Sequence, residues 1–243
     1  MKLILENWKR FLKEQDAPQL KLYCDMDGVL VDFETGMLSH INQRFQKLAT
    51  MQDELSQLKP DRKNPAYIEF KAARQASEEL GGWDVEITAT HITPDKGSDY
   101  KKVRNLMYRM VENDREIWAT LPWMKDGKKL WNYIKDFDVA ILSSPMKEGS
   151  KKGKEDWIAR ELGNVETYIS SDKGSWGIRD GRQGLLIDDS KKYLDKFESG
   201  GGLTIAHVNA DSTIKQLREK YGFVKNKMAE KYPDMTVIGG KNF

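Results

Sequence analysis

Leu20-Lys21-Leu22-Tyr23-Cys24-Asp25-Met26-Asp27-Gly28-Val29 is the stretch on which the fold turns. Its first half is a short apolar run that reads as a strand, and the run leads straight into Asp25. A second carboxylate, Asp27, stands two residues on, and Gly28 lets the chain turn sharply away from the strand. An aspartate in such a place can attack phosphorus and form an aspartyl-phosphate. Its neighbour can protonate a leaving oxygen and then deprotonate an attacking water. Taken alone, Asp-x-Asp-Gly also suits a plain turn or a calcium loop. A calcium loop, however, wants further acidic ligands at alternating positions and a glutamate at the twelfth. Val29, Leu30 and Val31 are poor ligands.

Four more apolar runs read as strands: Val139–Leu142, Val165–Ile169, Leu185–Ile187 and Leu203–Val208. Helical patterns lie between them at Gly127–Lys135, Lys151–Leu162, Lys191–Phe197 and Thr213–Tyr221. Strands alternating with helices imply an α/β fold, a Rossmann-like, mostly parallel sheet with helices on both faces. Ligands of such sheets sit beyond the carboxyl ends of the strands. Asp25, Ser143 and Asp188 each follow a strand and fall there.

The hundred or so residues after the first strand differ in texture. Leu38, Ile41, Phe45, Leu48, Leu55 and Leu58 recur at helical spacing. Asn64-Pro65 starts another helix, with Asn as cap and Pro in the first turn, and Gly81-Gly82 ends it. Tyr100, Val103, Met107, Met110, Asp114 and Ile117 mark a third helix face with one polar interruption. The division that follows is an N-terminal helix within 1–18, a core formed by 19–34 and 119–243, and a helical cap over 35–118. In the N-terminal segment, Leu5, Trp8, Phe11 and Leu12 share one side of a helix over residues 3–14. That side either packs on the domain surface or meets a partner, such as a second copy in a homodimer.

The 243 residues suffice for a core without staples. Forty basic against thirty-eight acidic residues, a formal net charge of +2, give no strong pull toward nucleic acid or membrane. No apolar run approaches the roughly 20 residues that span a bilayer, and Glu6 and Asn7 interrupt the first apolar stretch too early for a secretory signal. A single cysteine, Cys24, excludes an intrachain disulfide and fits a cytoplasmic location.

Three more elements accompany the Asp25–Asp27 pair. Ser143-Ser144 ends the second strand, where a hydroxyl and backbone amides can hold a phosphate oxygen; a simple turn before Pro145 is the plainer reading. Lys173 follows the third strand and reads otherwise as a solvated loop lysine. Asp188-Asp189 ends the fourth strand. Adjacent acids repel each other, and a divalent cation removes that cost; without one they read as helix caps. The run Lys147, Lys151, Lys152, Lys154 sits at a helix start, which favours anions, and one of these lysines is expected to work while the rest meet solvent. Tyr108, Trp118, Trp123, Trp83 and Tyr100 near the lid suit a flat small molecule, although for most of them core is the plainer reading, since Tyr100 lies on the apolar face of its helix. His91 and the other histidines show no ligand spacing. Only one helix and one strand pattern separate Ser143 from Asp188, so no second cap is expected there.

The series strand-Asp-x-Asp-Gly-Val, strand-Ser, Lys and strand-Asp-Asp resembles the haloacid dehalogenase superfamily of phosphotransferases, from about Leu20 to Asp189. The resemblance implies Asp25 as nucleophile and Asp27 as acid/base, its carbonyl also binding magnesium. It implies Ser143 and Lys173 on the phosphoryl group, and Asp188 or Asp189 completing a Mg2+ site. More narrowly, Asp25–Glu34, Ser143-Ser144-Pro145 and Leu185–Asp189 look like the 5'(3')-deoxyribonucleotidases. That likeness implies a second lysine, Lys154, at the phosphate and Phe33 against a substrate base. The expected activity is magnesium-dependent hydrolysis of a small phosphomonoester, a nucleoside 5'-monophosphate first. A sugar phosphate, a nucleic-acid terminus, or a catalytically idle binding protein on the same fold are the alternatives. The N-terminal helix and the tail from about Lys215 have no counterpart in that family, and the aromatics of the long insertion do not align with it.

Overall fold

The computed structural model describes residues 20–57, 63–84, 86–88 and 100–224. The N-terminal helix expected at 3–14, His91 and the tail beyond Val224 lie outside the described residues.

Strand β1 (Lys21–Cys24) is the centre of the sheet. It pairs in parallel with β2 (Val139–Ser143) on one side and with β5 (Arg182–Asp188) on the other. β3 (Glu166–Ile169) extends the sheet beyond β2, and β6 (Leu203–Ala206) pairs in parallel with β5. Side chains alternate across the pleat, and both faces are covered. Leu22, Cys24, Val139, Ile141, Leu185, Ile187 and Ile205 share one apolar cluster. Tyr23, Ala140, Leu142 and Leu186 point the other way, onto Trp176 and Phe197. Tyr23 meets both of these rings edge-on at 5.9 Å between centroids.

The expected strands are all present. β4 (Ile178–Arg179), antiparallel to the start of β5, was not anticipated. Two residues are too few to show a period. The signal was the turn between them: Asp180 and Gly181 both have positive φ, 52° and 75°, as a two-residue hairpin loop requires.

The insertion begins with α1 (Phe33–Thr50), followed by the single turn α2 (Gln52–Leu55). Asp32 caps α1 by accepting a bond from Thr35 N at 3.0 Å. Phe33 therefore opens a helix instead of lying in the turn after Asp25. α3 (Pro65–Leu80) has the foreseen ends, with Asn64 accepting from Ala66 N and Gly81 at φ 88°. The third expected helix is two: α4 (Tyr100–Val111) and α5 (Arg115–Ala119). The polar interruption explains the break, because the Asp114 carboxylate caps α5, accepting from Glu116 N at 2.9 Å and Ile117 N at 3.1 Å. The helices α6 (Gly127–Ile134), α7 (Glu148–Glu161), α8 (Lys191–Ser199) and α9 (Ala210–Glu219) alternate with the later strands. No helix among the described residues is long and apolar enough to cross a membrane.

The insertion is clamped to the sheet domain through α5 and α7. Arg115 pairs in bidentate fashion with Asp156, at 2.5 and 2.8 Å, and Asn113 Oδ1 accepts from Gly149 N at 2.8 Å. Gly153 is where the two helices meet. A Cβ there would lie 2.4 Å from the Arg115 carbonyl oxygen and 2.4 Å from Trp118 Cβ. Gly153→Ala adds about 1 kcal/mol of helix propensity, but overpacking against backbone costs about 1–3 kcal/mol. The clash should win. The variant should melt several degrees below the wild type by calorimetry, and a Tm at or above the wild-type value would refute this close packing.

Candidate active site

The carboxyl ends of β1, β2 and β5 converge because the strands are parallel and in register. Cys24 is level with Ile187 and Ile141, so Asp25 emerges beside Asp188, and Asp25 N donates to Ile187 O at 2.9 Å. Beyond Asp25 the chain coils back: Leu30 and Val31 N both reach Met26 O at 2.9 Å, and Gly28 N reaches Val31 O at 2.9 Å. Met26, Val29, Leu30 and Val31 are wholly buried, so apolar packing fixes the turn that presents Asp27. Gly28 has φ 74°, and a Cβ on it would sit 2.2 Å from Asp189 Oδ2. Glycine is demanded by the left-handed backbone and by the approach of that carboxylate.

Four carboxylates and two lysines meet here. Lys173 is fully buried, 2.8 Å from Asp25 Oδ1 and 2.6 Å from Asp188 Oδ2. Burial works to lower its pKa, but the two carboxylates outweigh that and hold it at about 12. Lys154, also fully buried, reaches Asp27 Oδ2 at 2.5 Å, Ser143 Oγ at 2.9 Å and the Ser144 carbonyl at 2.7 Å. It is the buried member of its basic run; Lys147 and Lys152 are exposed and Lys151 is half-buried. The Ser143 hydroxyl faces inward onto Lys154, while Ser144 lines the cavity and donates to Ser170 O at 3.1 Å.

Desolvation dominates the acids. It raises Asp188 to about 7, with the Asp25 charge adding to the rise and Lys173 opposing it. It raises Asp189 to about 6, again with help from Asp25. Burial also raises Asp27, against Lys154. Oxygens of Asp25, Asp188 and Asp189 lie within 4.8 Å of one another, a grouping able to hold a metal ion. Asp27 Oδ1 is buried and accepts no hydrogen bond, and Asp25 Oδ1 faces the Lys173 ammonium. Asp188 is already engaged at both oxygens, by Lys173 and by Ser190 N at 2.8 Å, whereas Asp189 is open to the cavity. Hard oxygen donors short of partners fit magnesium.

The cavity above, about 620 Å³, is lined by the polar residues Asp25, Asp27, Asp189 and Ser144. Phe33, Met37, Tyr108 and Trp118 contribute apolar lining. One face of Phe33 stacks on Trp118, at 4.9 Å and 20°. Of the aromatics near the lid, Trp83 packs on Phe45 and Phe70 instead, and Trp123 on Trp157. The side chain of Tyr100 lies outside the described residues. Arg104 and Tyr193 also line the cavity. Sequence reasoning missed both. Tyr193, two residues into α8, gave no pattern to find it by. Arg104 borders the apolar stripe of α4, so a cation flanking that stripe was the available signal.

No protein-family model matches the chain, and no curated protein matches it. Three solved structures are among those it is similar to. A hydrolase from Streptococcus pneumoniae TIGR4 shares 13% identity over 82% of this chain and 98% of its own, with a TM-score of 0.40. A haloacid dehalogenase-like family hydrolase from Xanthomonas campestris shares 10% over 84% and 92%, with a TM-score of 0.44. The HAD-hydrolase YfnB from Bacillus subtilis, bound to magnesium, shares 13% over 77% and 87%, with a TM-score of 0.38. By their descriptions all three are hydrolases, two of them of the haloacid dehalogenase type.

Proposed function

We propose that this chain is a magnesium-dependent phosphomonoester hydrolase that works through an aspartyl-phosphate on Asp25, resembling the 5'(3')-deoxyribonucleotidases in its motifs. The observation that carries the reading is the meeting, at one cavity, of Asp25 and Asp27 with a three-carboxylate grouping and two buried lysines. Phosphoryl transfer asks mainly for positioning and for neutralisation of charge. Asp25 is held at its backbone by β5 and at its carboxylate by Lys173, so its aim is set before substrate arrives. Asp27, desolvated and tied to Lys154, is placed to give a proton to the leaving oxygen and to take one from the water that follows. Lys173 and Lys154 offset the phosphate charge, and Ser144 offers its hydroxyl at the cavity wall. Asp25, Asp189, Asp188 and the Asp27 carbonyl would hold magnesium, which when bound screens phosphate from carboxylate. Phe33 and Trp118 give the cavity a flat apolar wall, which suits the base of a nucleoside 5'-monophosphate.

Asp25→Asn should stay folded and lose phosphate release by on the order of 10³-fold or more. A folded variant keeping a tenth of the activity would remove Asp25 from the nucleophile's role. Exhaustive chelation should abolish turnover and added magnesium should restore it; full activity in chelator would overturn the metal assignment. Phe33→Ala should lower Tm by a few degrees, because it unstacks Trp118. It should also cost nucleoside monophosphates about ten-fold more in kcat/KM than phenyl phosphate. Equal loss on both substrates would reduce Phe33 to a packing residue.

A further inference from the structure

The chemistry above leaves one cation of the cavity wall without a task. Arg104 is the sole cationic side chain among the described residues that line the cavity. It is half-buried on α4. Its Nε donates to the Tyr108 hydroxyl at 2.9 Å, and its Cζ lies 4.9 Å from the centre of that ring. Other arginines of the insertion are spent on acids: Arg44 on Asp114 and Glu69, Arg115 on Asp156. Arg104 has no carboxylate partner among the described residues. Of the two further acids that line the cavity, Asp32 is occupied in capping α1 and Glu34 is exposed.

With Nε committed to Tyr108, the guanidinium keeps two terminal amino groups in one plane. Such a fork matches two acceptor atoms side by side, as on a carboxylate or on the O6/N7 edge of a 6-oxopurine. The rings of Phe33 and Trp118 select a flat group, and the fork selects the edge of that group. We infer that Arg104, braced by Tyr108, is a specificity-determining residue that recognises a paired-acceptor edge on the leaving group. The two sources of that edge are a 6-oxopurine nucleotide and a flat leaving group bearing a carboxylate. This inference rests on the phosphomonoesterase reading.

The test uses two matched pairs of substrates with the full chain and magnesium: guanosine and adenosine 5'-monophosphate, and 4-carboxyphenyl and phenyl phosphate. The readout is the ratio of kcat/KM within each pair, which a general loss of activity leaves unchanged. In Arg104→Met the ratio should fall by about ten-fold in at least one pair, and the pair that responds identifies the source of the edge. Arg104→Lys should restore only part of the ratio, since an ammonium has no fork. Ratios unaltered by Arg104→Met in both pairs would overturn the inference. Should the wild type release phosphate from none of the four, the phosphatase reading fails and Arg104 is judged by calorimetric binding of the same compounds. A binding preference lost in Arg104→Met then upholds the paired-acceptor role, and no preference refutes it.

Discussion

Parallel register between β1 and β5 forces Asp25 and Asp188 together at the end of the sheet, and the rest of the structure answers that crowding. Two carboxylates at such range in a dry interior repel strongly, and here Asp27 and Asp189 add to them. Lys173 is the first answer, an ammonium placed between Asp25 and Asp188 by the loop after β3. Breaking a buried pair of this kind costs about 3–5 kcal/mol, because it leaves a charge stranded. Burial first and the Asp25 charge second still raise Asp188 and Asp189, against the pull of Lys173. What remains is an affinity for cations stored in the fold, and it is the physical reason a magnesium ion suits these residues.

The insertion closes this site while sharing the core of the sheet domain. Met37, Ile41 and Phe45 of α1 and Leu106, Met107 and Met110 of α4 belong to the same apolar cluster as Leu22 and Ile187. The Arg115–Asp156 ion pair between α5 and α7, and the bond from Gly149 N to the Asn113 side chain just before α5, add directional contacts to that packing, and Gly153 brings the two helices close. Trp118 stands where these contacts meet the cavity. It is buried, its Nε1 donates to Val111 O at 2.9 Å, its ring stacks on Phe33, and Lys154 Nζ lies 5.1 Å from its centre. Packing between insertion and core thus sets the aromatic wall.

Much of this was legible because burial and backbone geometry write themselves into short sequence patterns. A strand buried on both faces must be an apolar run, and a chain turning off its end beside a carboxylate needs a residue such as Gly28, so Asp-x-Asp-Gly announces itself. Asn64-Pro65 and Gly81 gave the ends of α3 for the same reason. Asp114 was visible as a polar interruption, yet its meaning, a cap between two helices, depends on which amides it meets. Ser143 and Lys173 read from sequence as phosphate ligands. The fold shows their present partners to be Lys154 for the one, Asp25 and Asp188 for the other, and tertiary pairings of this sort leave no mark in local spacing. Phe33 packs on Trp118 and also lines the cavity, a pairing that depends on the tertiary fold and leaves no mark in local spacing.

The two lysines divide the acids between them. Lys173 binds the pair borne by β1 and β5, and Lys154 binds Asp27 to the loop that follows β2. With separate partners on separate elements, the Asp25 carboxylate is held at the sheet by Lys173. Asp27 is desolvated yet offset by its own cation, and the Asp25 charge bears on it as well. The proposed chemistry asks for a charged nucleophile beside an acid/base that alternates. Two buried lysines, on α7 and on the loop after β3, give carboxylates only two residues apart a cation each.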